Sequence, residues 1–399
     1  MGHSERLALD GGSPVRTVPL PYGQQEIDED DIRAVTAVLR SAWLTTGPCV
    51  DAFEQAVTGF VGARYGVAVS SGTAALHAAM HALDIRPGDE VIVPPLTFVA
   101  TANAVLFQGG TPVFADVNPD TLLLQPAHVE TRLTSRTKAV IAVDYAGQPC
   151  EYETLRKICD RHGIALVADA CHALGAQYKG RRVGTLADLT VFSFHPVKHI
   201  TTGEGGLIVT NRADWAAAMR QFRNHGITTD HRQRAESGTW RYEMVTLGYN
   251  YRITDVQCAL GTSQLQKVSA WLARRQKIAA LYDEAFARVP AVTPLRLLGN
   301  RSHAYHLYVV QLNSEALRTG RATIFNALRA EGIGVNVHYM PVHLHPYYQR
   351  RFGYRRGEYP VAEEAYTRML SLPMSHGMST HDVEDVVRAV HKIVTHYAA

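Results

Sequence analysis

Between residues 51 and 268 the chain repeats one rhythm, a short continuous apolar run followed by a longer stretch with one polar face. The apolar runs are YGVAVSSG, EVIVPP, TPVFADV, KAVIAVDYAG, IALVADAC and LTVFSF. Between them lie TAALHAAMHALD, TFVATANAVLFQG and YETLRKICDRHG. In the first of these, Leu76, Met80 and Leu83 share one helical stripe, and the last is ended by Gly163. A strand with one wet face alternates apolar and polar residues. These strands do not, so both of their faces must be covered, which predicts an α/β fold with a mainly parallel sheet.

The flanks differ. IDEDDIRAVTAVLRS predicts a helix with Asp28 as N-cap and Ile32, Val35 and Leu39 on one face. WLTTGP then reads as a loop and VDAFEQAVTGFVG as a second helix. Near the far end, Thr254 and Gln257 form a capping-box pattern, and SAWLARRQKIAALYDEAFARV leads away as one long helix. Beyond it HAYHLYVVQL and GVNVHYM read as strands. The expected division is an N-terminal segment 1–50, a large domain 51–268 and a smaller C-terminal α/β domain 269–399.

Composition narrows the function classes. A formal charge of +3, spread evenly, does not suit nucleic-acid binding. The most basic run, His231-Arg232-Gln233-Arg234, reads as a solvated loop. Five cysteines with no C-x-x-C pair speak against a disulfide framework or zinc ribbon, and for a reducing, cytoplasmic setting. No apolar run is long enough for a membrane span, and MGHSERLALDGGSP lacks the apolar core of a signal peptide. His338, His343 and His345 in VHYMPVHLHPYY have no accompanying cysteine or carboxylate cluster, so no metal site is expected.

Three motifs carry chemistry. In VSSGTAALHAAM a strand stops at two serines and a glycine, and a helix begins at once. The unpaired N–H groups of such a first turn suit an anion, phosphate above all, with Gly72 allowing close approach and Thr73 adding a hydroxyl. An ordinary helix cap would look the same. In ALVADACHALGA, Asp169 ends an apolar strand at its carboxyl end, where α/β sheets bind ligands, although a cap for a following helix is the plainer reading. In FSFHPVKHITTGEGG, Lys198 follows a buried strand that carries Ser193, with His195 and His199 on either side. Most lysines are surface residues, but an apolar strand before and a glycine-rich turn after make this one unusual. A phosphate cradle, a carboxylate and an amine in one sheet domain are the handles pyridoxal 5′-phosphate requires, and Phe98, at another strand end, could cover the ring.

The same motifs, with LPYGQQEIDEDDI, PPLTFVATANAV, LGYNYRITDVQCALG and VNVHYMPVH, resemble the sugar aminotransferases of the DegT/DnrJ/EryC1 group. That resemblance implies the fold-type-I architecture of aspartate aminotransferase and pyridoxal 5′-phosphate as cofactor. It implies Lys198 as the amine joined to the cofactor and Asp169 as partner of the pyridine nitrogen. Gly72, Thr73 and Ser193 would bind the phosphate, His172 would lie beside the ring, and Asn250 would reach the phosphate in a partner subunit. His195, His199, His338 and Tyr339 are expected to meet the substrate. Within the group, LPYGQQEIDEDDI, FSFHPVKHITTGEGG and NHGITTD look most like members that move an amino group from L-glutamate to C4 of a UDP-4-keto-6-deoxy-HexNAc, on the pseudaminic acid route. LALDGGSPVR looks more like aminocyclitol and antibiotic-sugar relatives. Such enzymes would be homodimers with shared sites. A non-catalytic cofactor-binding regulatory module is the reading from a different class.

Overall fold

The computed structural model describes residues 6–399; the first five residues of the expected N-terminal segment lie outside the described part. The strands are β1 (Tyr65–Val69), β2 (Glu90–Val93), β3 (Thr111–Phe114), β4 (Thr137–Val143), β5 (Ala165–Asp169), β6 (Gln177–Tyr178), β7 (Arg181–Arg182), β8 (Leu189–Ser193), β9 (Gly206–Thr210), β10 (Val292–Pro294), β11 (Tyr308–Leu312) and β12 (Met369–Leu372). Seven of them form one sheet in the order β1-β9-β8-β5-β4-β2-β3. Only β9 runs against its neighbours. Val91, Ile92, Val93, Val140, Ile141, Leu166 and Val167 are wholly buried, as strands covered on both faces require. Each such side chain contributes roughly 1.5–3 kcal/mol of transfer free energy.

The carboxyl ends of β1, β5 and β8 lie along one edge of this sheet. There α3 (Gly72–Ala82) starts directly after β1, with Ser71 as N-cap accepting from the Ala74 N–H at 3.1 Å. A second sheet, β10-β11-β12, is antiparallel and packs with the long helix Val268–Phe286 and the C-terminal helix Thr380–His396. Residues 7–16 dock on this part. Leu7 joins its core, Arg16 pairs with Asp382 and Asp385, and Glu331 accepts from the Ala8 and Val15 N–H groups while pairing with Lys392.

Four local expectations are corrected. The helix α1 (Glu29–Leu39) has its capping box at Asp28 and Asp31, but Ile32 and Leu39 are 47% and 58% exposed. Its inner face is set by Asp31, which accepts from Ser263 and Gln264 on the neighbouring helix Asp255–Leu265 and from Lys267 just beyond it. The apolar stripe is therefore turned outward. The basic run at 231–234 is part of a helix, His231–Glu236, because Asp230 and Gln233 cap each other and Arg232 pairs with Asp51. GVNVHYM is not a strand. Asn336 makes one bridge to Ser371 on the free edge of β12, and the chain then leaves the sheet. Likewise HAYHLYVVQL is a strand only from Tyr308, and residues 303–307 form an irregular loop. No helix among the described residues is long and apolar enough to cross a membrane.

Candidate active site

A cavity of about 560 Å³ opens at the carboxyl edge of the large sheet. Its wall includes Ser71, Gly72 and Thr73 after β1, Phe98 and Thr101 after β2, Asp169 and His172 at β5, residues of the stretch from Ser193 to Lys198 at β8, and residues 336–339. Crossover connections return every parallel strand in the same direction, so their carboxyl ends converge whatever their separation in the chain.

Asp169 is 6% exposed and sits on the wall. Its Oδ2 accepts from the Thr101 hydroxyl at 2.7 Å, and its Oδ1 from the Cys171 N–H at 3.3 Å. Thr101 is in turn 2.8 Å from the Thr97 hydroxyl. No helix follows Asp169, so it is not a helix cap. It makes no ion pair among the described residues, which leaves a buried carboxylate facing an open space.

Lys198 closes a tight turn, its N–H donating to the His195 carbonyl at 2.9 Å. The turn is tied back by Thr201 and Thr202, both bonded to the Phe194 carbonyl. The Lys198 side chain lines the cavity. Withdrawal from water lowers its pKa, while Cys171 and Asp169 act in the opposite direction.

The first-turn N–H groups of Gly72 and Thr73 have no preceding helical carbonyl to pair with. A Cβ on Gly72 would lie 2.9 Å from the Ser193 Cβ, so the space between that turn and the serine hydroxyl exists only for glycine. A two-sided anion cradle, an unbalanced carboxylate and an amine with a lowered pKa fit the phosphate, ring nitrogen and aldehyde of pyridoxal 5′-phosphate.

The other expected residues divide. Phe98, 55% exposed, and Tyr339 approach each other at the cavity mouth with ring centroids 5.9 Å apart. His172 Nε2 is 3.1 Å from the Tyr339 hydroxyl, and burial holds its pKa well below the usual histidine range. His195 lines the cavity from the exposed side. His338 lines it with Nδ1 2.8 Å from the Ser371 hydroxyl, its pKa pushed down to about 4 by burial. His199, expected at the substrate, is instead buried behind the lysine with Nε2 donating to the Ala304 carbonyl at 3.1 Å. Asn250 is exposed on the surface and is not on the wall of this chain's cavity. His343 packs in the core against Glu363 at 2.9 Å, and His345 caps a short helix.

Four wall residues carried no signal in their own stretch. Thr101 supports Asp169 from 68 positions away. His306 comes within 3.4 Å of the lysine amine. Tyr22 and Asn336 enter together, because Leu20 pairs with the chain at 332–334 and the Tyr22 carbonyl accepts from the Met374 N–H. None of these contacts leaves a mark on local periodicity.

The fold and this constellation define a fold-type-I, pyridoxal-phosphate-dependent aminotransferase. Residues 25–391 match the DegT/DnrJ/EryC1/StrS aminotransferase family, and the chain belongs to that family. It is 42% identical over 377 residues to the spore coat polysaccharide biosynthesis protein SpsC of Bacillus subtilis, spanning 94% of this chain and 97% of that protein. The solved structure of Helicobacter pylori PseC, an aminotransferase involved in the biosynthesis of pseudoaminic acid, superposes with a TM-score of 0.89 at 33% identity, covering 95% of this chain and all of that one. Spr1654 from Streptococcus pneumoniae, solved in its PLP form, gives 0.88 at 31% identity over 95% of this chain and 99% of that one.

Proposed function

We propose that this enzyme transfers the amino group of L-glutamate to C4 of a UDP-4-keto-6-deoxy-HexNAc, with Lys198 as its central amine. The observation that carries the reading is the convergence of Lys198, Asp169 and the Gly72, Thr73 and Ser193 cradle on one cavity, in a chain similar to PseC along its length. Pyridoxal 5′-phosphate, when bound, supplies an aldehyde that condenses with amines and a ring that withdraws electrons from the attached carbon.

The chain's residues do the rest. The Gly72 and Thr73 N–H groups and the Ser193 hydroxyl bind the phosphate and fix the cofactor's position. Asp169, ionised and steadied by Thr101, holds a proton on the ring nitrogen, so that the ring remains an electron sink. Lys198 would hold the cofactor through its aldehyde and be free once an amino donor takes its place. The freed amine, whose lowered pKa favours its unprotonated form, is placed to take the donor's α-proton and to hand it back. His172 and Phe98 flank the ring, and Tyr339, His195 and His338 sit where the sugar enters.

A homodimer is part of the proposal. The diphosphate of a nucleotide sugar and the carboxylates of glutamate call for cations, yet no arginine lines the cavity among the described residues. Asn250 stands on the surface beside an apolar stretch in which Trp240, Met244 and Leu247 are 87%, 66% and 70% exposed, a feature that fits burial against a second copy. Sedimentation should therefore give a dimer; a fully active monomer would rule the shared site out.

The substrate is tested by converting the enzyme to its pyridoxamine form and offering a panel of keto-sugar nucleotides. The UDP-4-keto-6-deoxy-HexNAc should restore the pyridoxal absorption fastest. Faster return with a TDP-keto sugar, a UDP-4-keto-pentose or an aminocyclitol ketone overturns the substrate assignment while leaving the reaction class intact.

A further inference from the structure

Residues 303–307 reach Lys198 from across the chain, and the backbone holds them there. The Ala304 N–H donates to the Gly147 carbonyl at 2.8 Å, and the Leu307 N–H to the Ala146 carbonyl at 3.1 Å. Arg275, buried, donates to the Tyr305 carbonyl at 2.9 Å. Gly147 permits this close seating: at its φ of +113°, a Cβ would lie 2.8 Å from the Tyr305 nitrogen and 3.1 Å from that of His306. The side chain so placed is His306, 5% exposed, with Nε2 3.4 Å from Lys198 Nζ.

The second nitrogen, Nδ1, is buried and has no hydrogen-bond partner among the described residues. A buried histidine usually has one nitrogen tied to a carbonyl or carboxylate, and that bond selects the tautomer. His199 is such a case, bonded to Ala304. Nothing ties His306 in this way, so its proton can sit on either nitrogen. With the proton on Nδ1, Nε2 accepts from a lysine ammonium. With the proton on Nε2, the same atom donates to a neutral amine. The ring remains neutral in both arrangements. Burial, Lys198, Arg275 and the adjacent His172 and His199 all disfavour a charged imidazole there. Asp169, Cys171, His172, His199 and His338 also face this region, and among the described residues none of them is hydrogen-bonded to Nζ.

We propose that His306 is the hydrogen-bond partner of the Lys198 amine in both of its charge states, holding Nζ at the reacting position whenever the lysine is free. This rests on the reading of Lys198 as the cofactor amine. The tautomer of His306 follows the charge of the lysine, so one side chain serves the amine both before and after it takes up a proton.

The test labels Lys198 in the full-length enzyme in its pyridoxamine form with acetic anhydride across a pH series, read by mass spectrometry. In His306→Leu the labelling midpoint should fall by about one pH unit or more, because the ammonium loses its acceptor. In His306→Gln, whose side-chain oxygen extends about as far as Nε2, most of that shift should be recovered. An unchanged midpoint in the leucine variant, or a glutamine variant that shifts as far as leucine, overturns the proposal. If His306→Leu fails to fold by thermal melting, His306→Asn, whose amide stops short of the amine, is read by the same outcomes. The underlying reading is checked separately. Borohydride reduction of the wild-type holoenzyme should fix the cofactor on Lys198, and attachment elsewhere removes that reading whatever His306 does.

Discussion

Replacing Lys198 with alanine is expected to lower turnover by at least about 10⁴-fold, since both the covalent attachment and the mobile base are lost in one change. The fold should survive. Among the described residues the amine makes no ion pair, and its one side-chain hydrogen bond is to His306. Removing a poorly solvated amine should leave the melting temperature unchanged or slightly raised. The cradle at Gly72, Thr73 and Ser193 and the Asp169 carboxylate remain in place, so the variant should still retain cofactor, now without a covalent link. Borohydride reduction followed by mass spectrometry should find no cofactor on the chain. A variant that keeps a substantial fraction of wild-type turnover would overturn the assignment of Lys198.

Asp169→Asn separates charge from shape at the second centre. The amide has the carboxylate's size, and its oxygen can still accept from Thr101, so packing and stability should change little. What is lost is the negative charge that keeps a proton on the ring nitrogen, and a neutral amide cannot replace it. We expect kcat to fall by about 10²- to 10³-fold at saturating cofactor, the loss of one aimed electrostatic interaction in a water-poor site. Cofactor affinity should fall as well. Steady-state kinetics across a cofactor series separates the two effects, and near wild-type kcat at saturation would show that Asp169 serves only to bind.

Much of this site was legible in one dimension because strand ends are local features. The apolar runs marked where the sheet's strands stop: Asp169 and Ser193 end theirs, and Ser71-Gly72-Thr73 follow the end of β1 within a few residues. Knowing that the strands were buried on both faces, hence parallel, was enough to bring those stops to one edge. The same reasoning misjudged α1. Its stripe of Ile32, Val35 and Leu39 was a sound helical pattern, but the polar Asp31 face is the one that meets the neighbouring helix. Periodicity reports that a helix has two faces and is silent on which of them this chain itself covers.

The stretches 303–307 and 334–340 failed for a related reason. HAYHLYVVQL and GVNVHYM have strand composition, yet a strand needs an edge to pair with, and the edge of β12 offers Asn336 a single bridge. The residues left over hang His306, His338 and Tyr339 around the cavity.

The sequence by itself therefore determined the α/β class, the cradle, the carboxylate and the lysine, since each depends on neighbours a few positions away. The tertiary structure alone decided that Thr101 steadies Asp169, that His306 meets Lys198, that His199 lies behind the site and that Asn250 faces outward. Those outcomes depend on the order in which strands enter the sheet and on loops crossing its edge, and contacts 68 and 108 residues apart are set by that order and not by any local pattern of side chains.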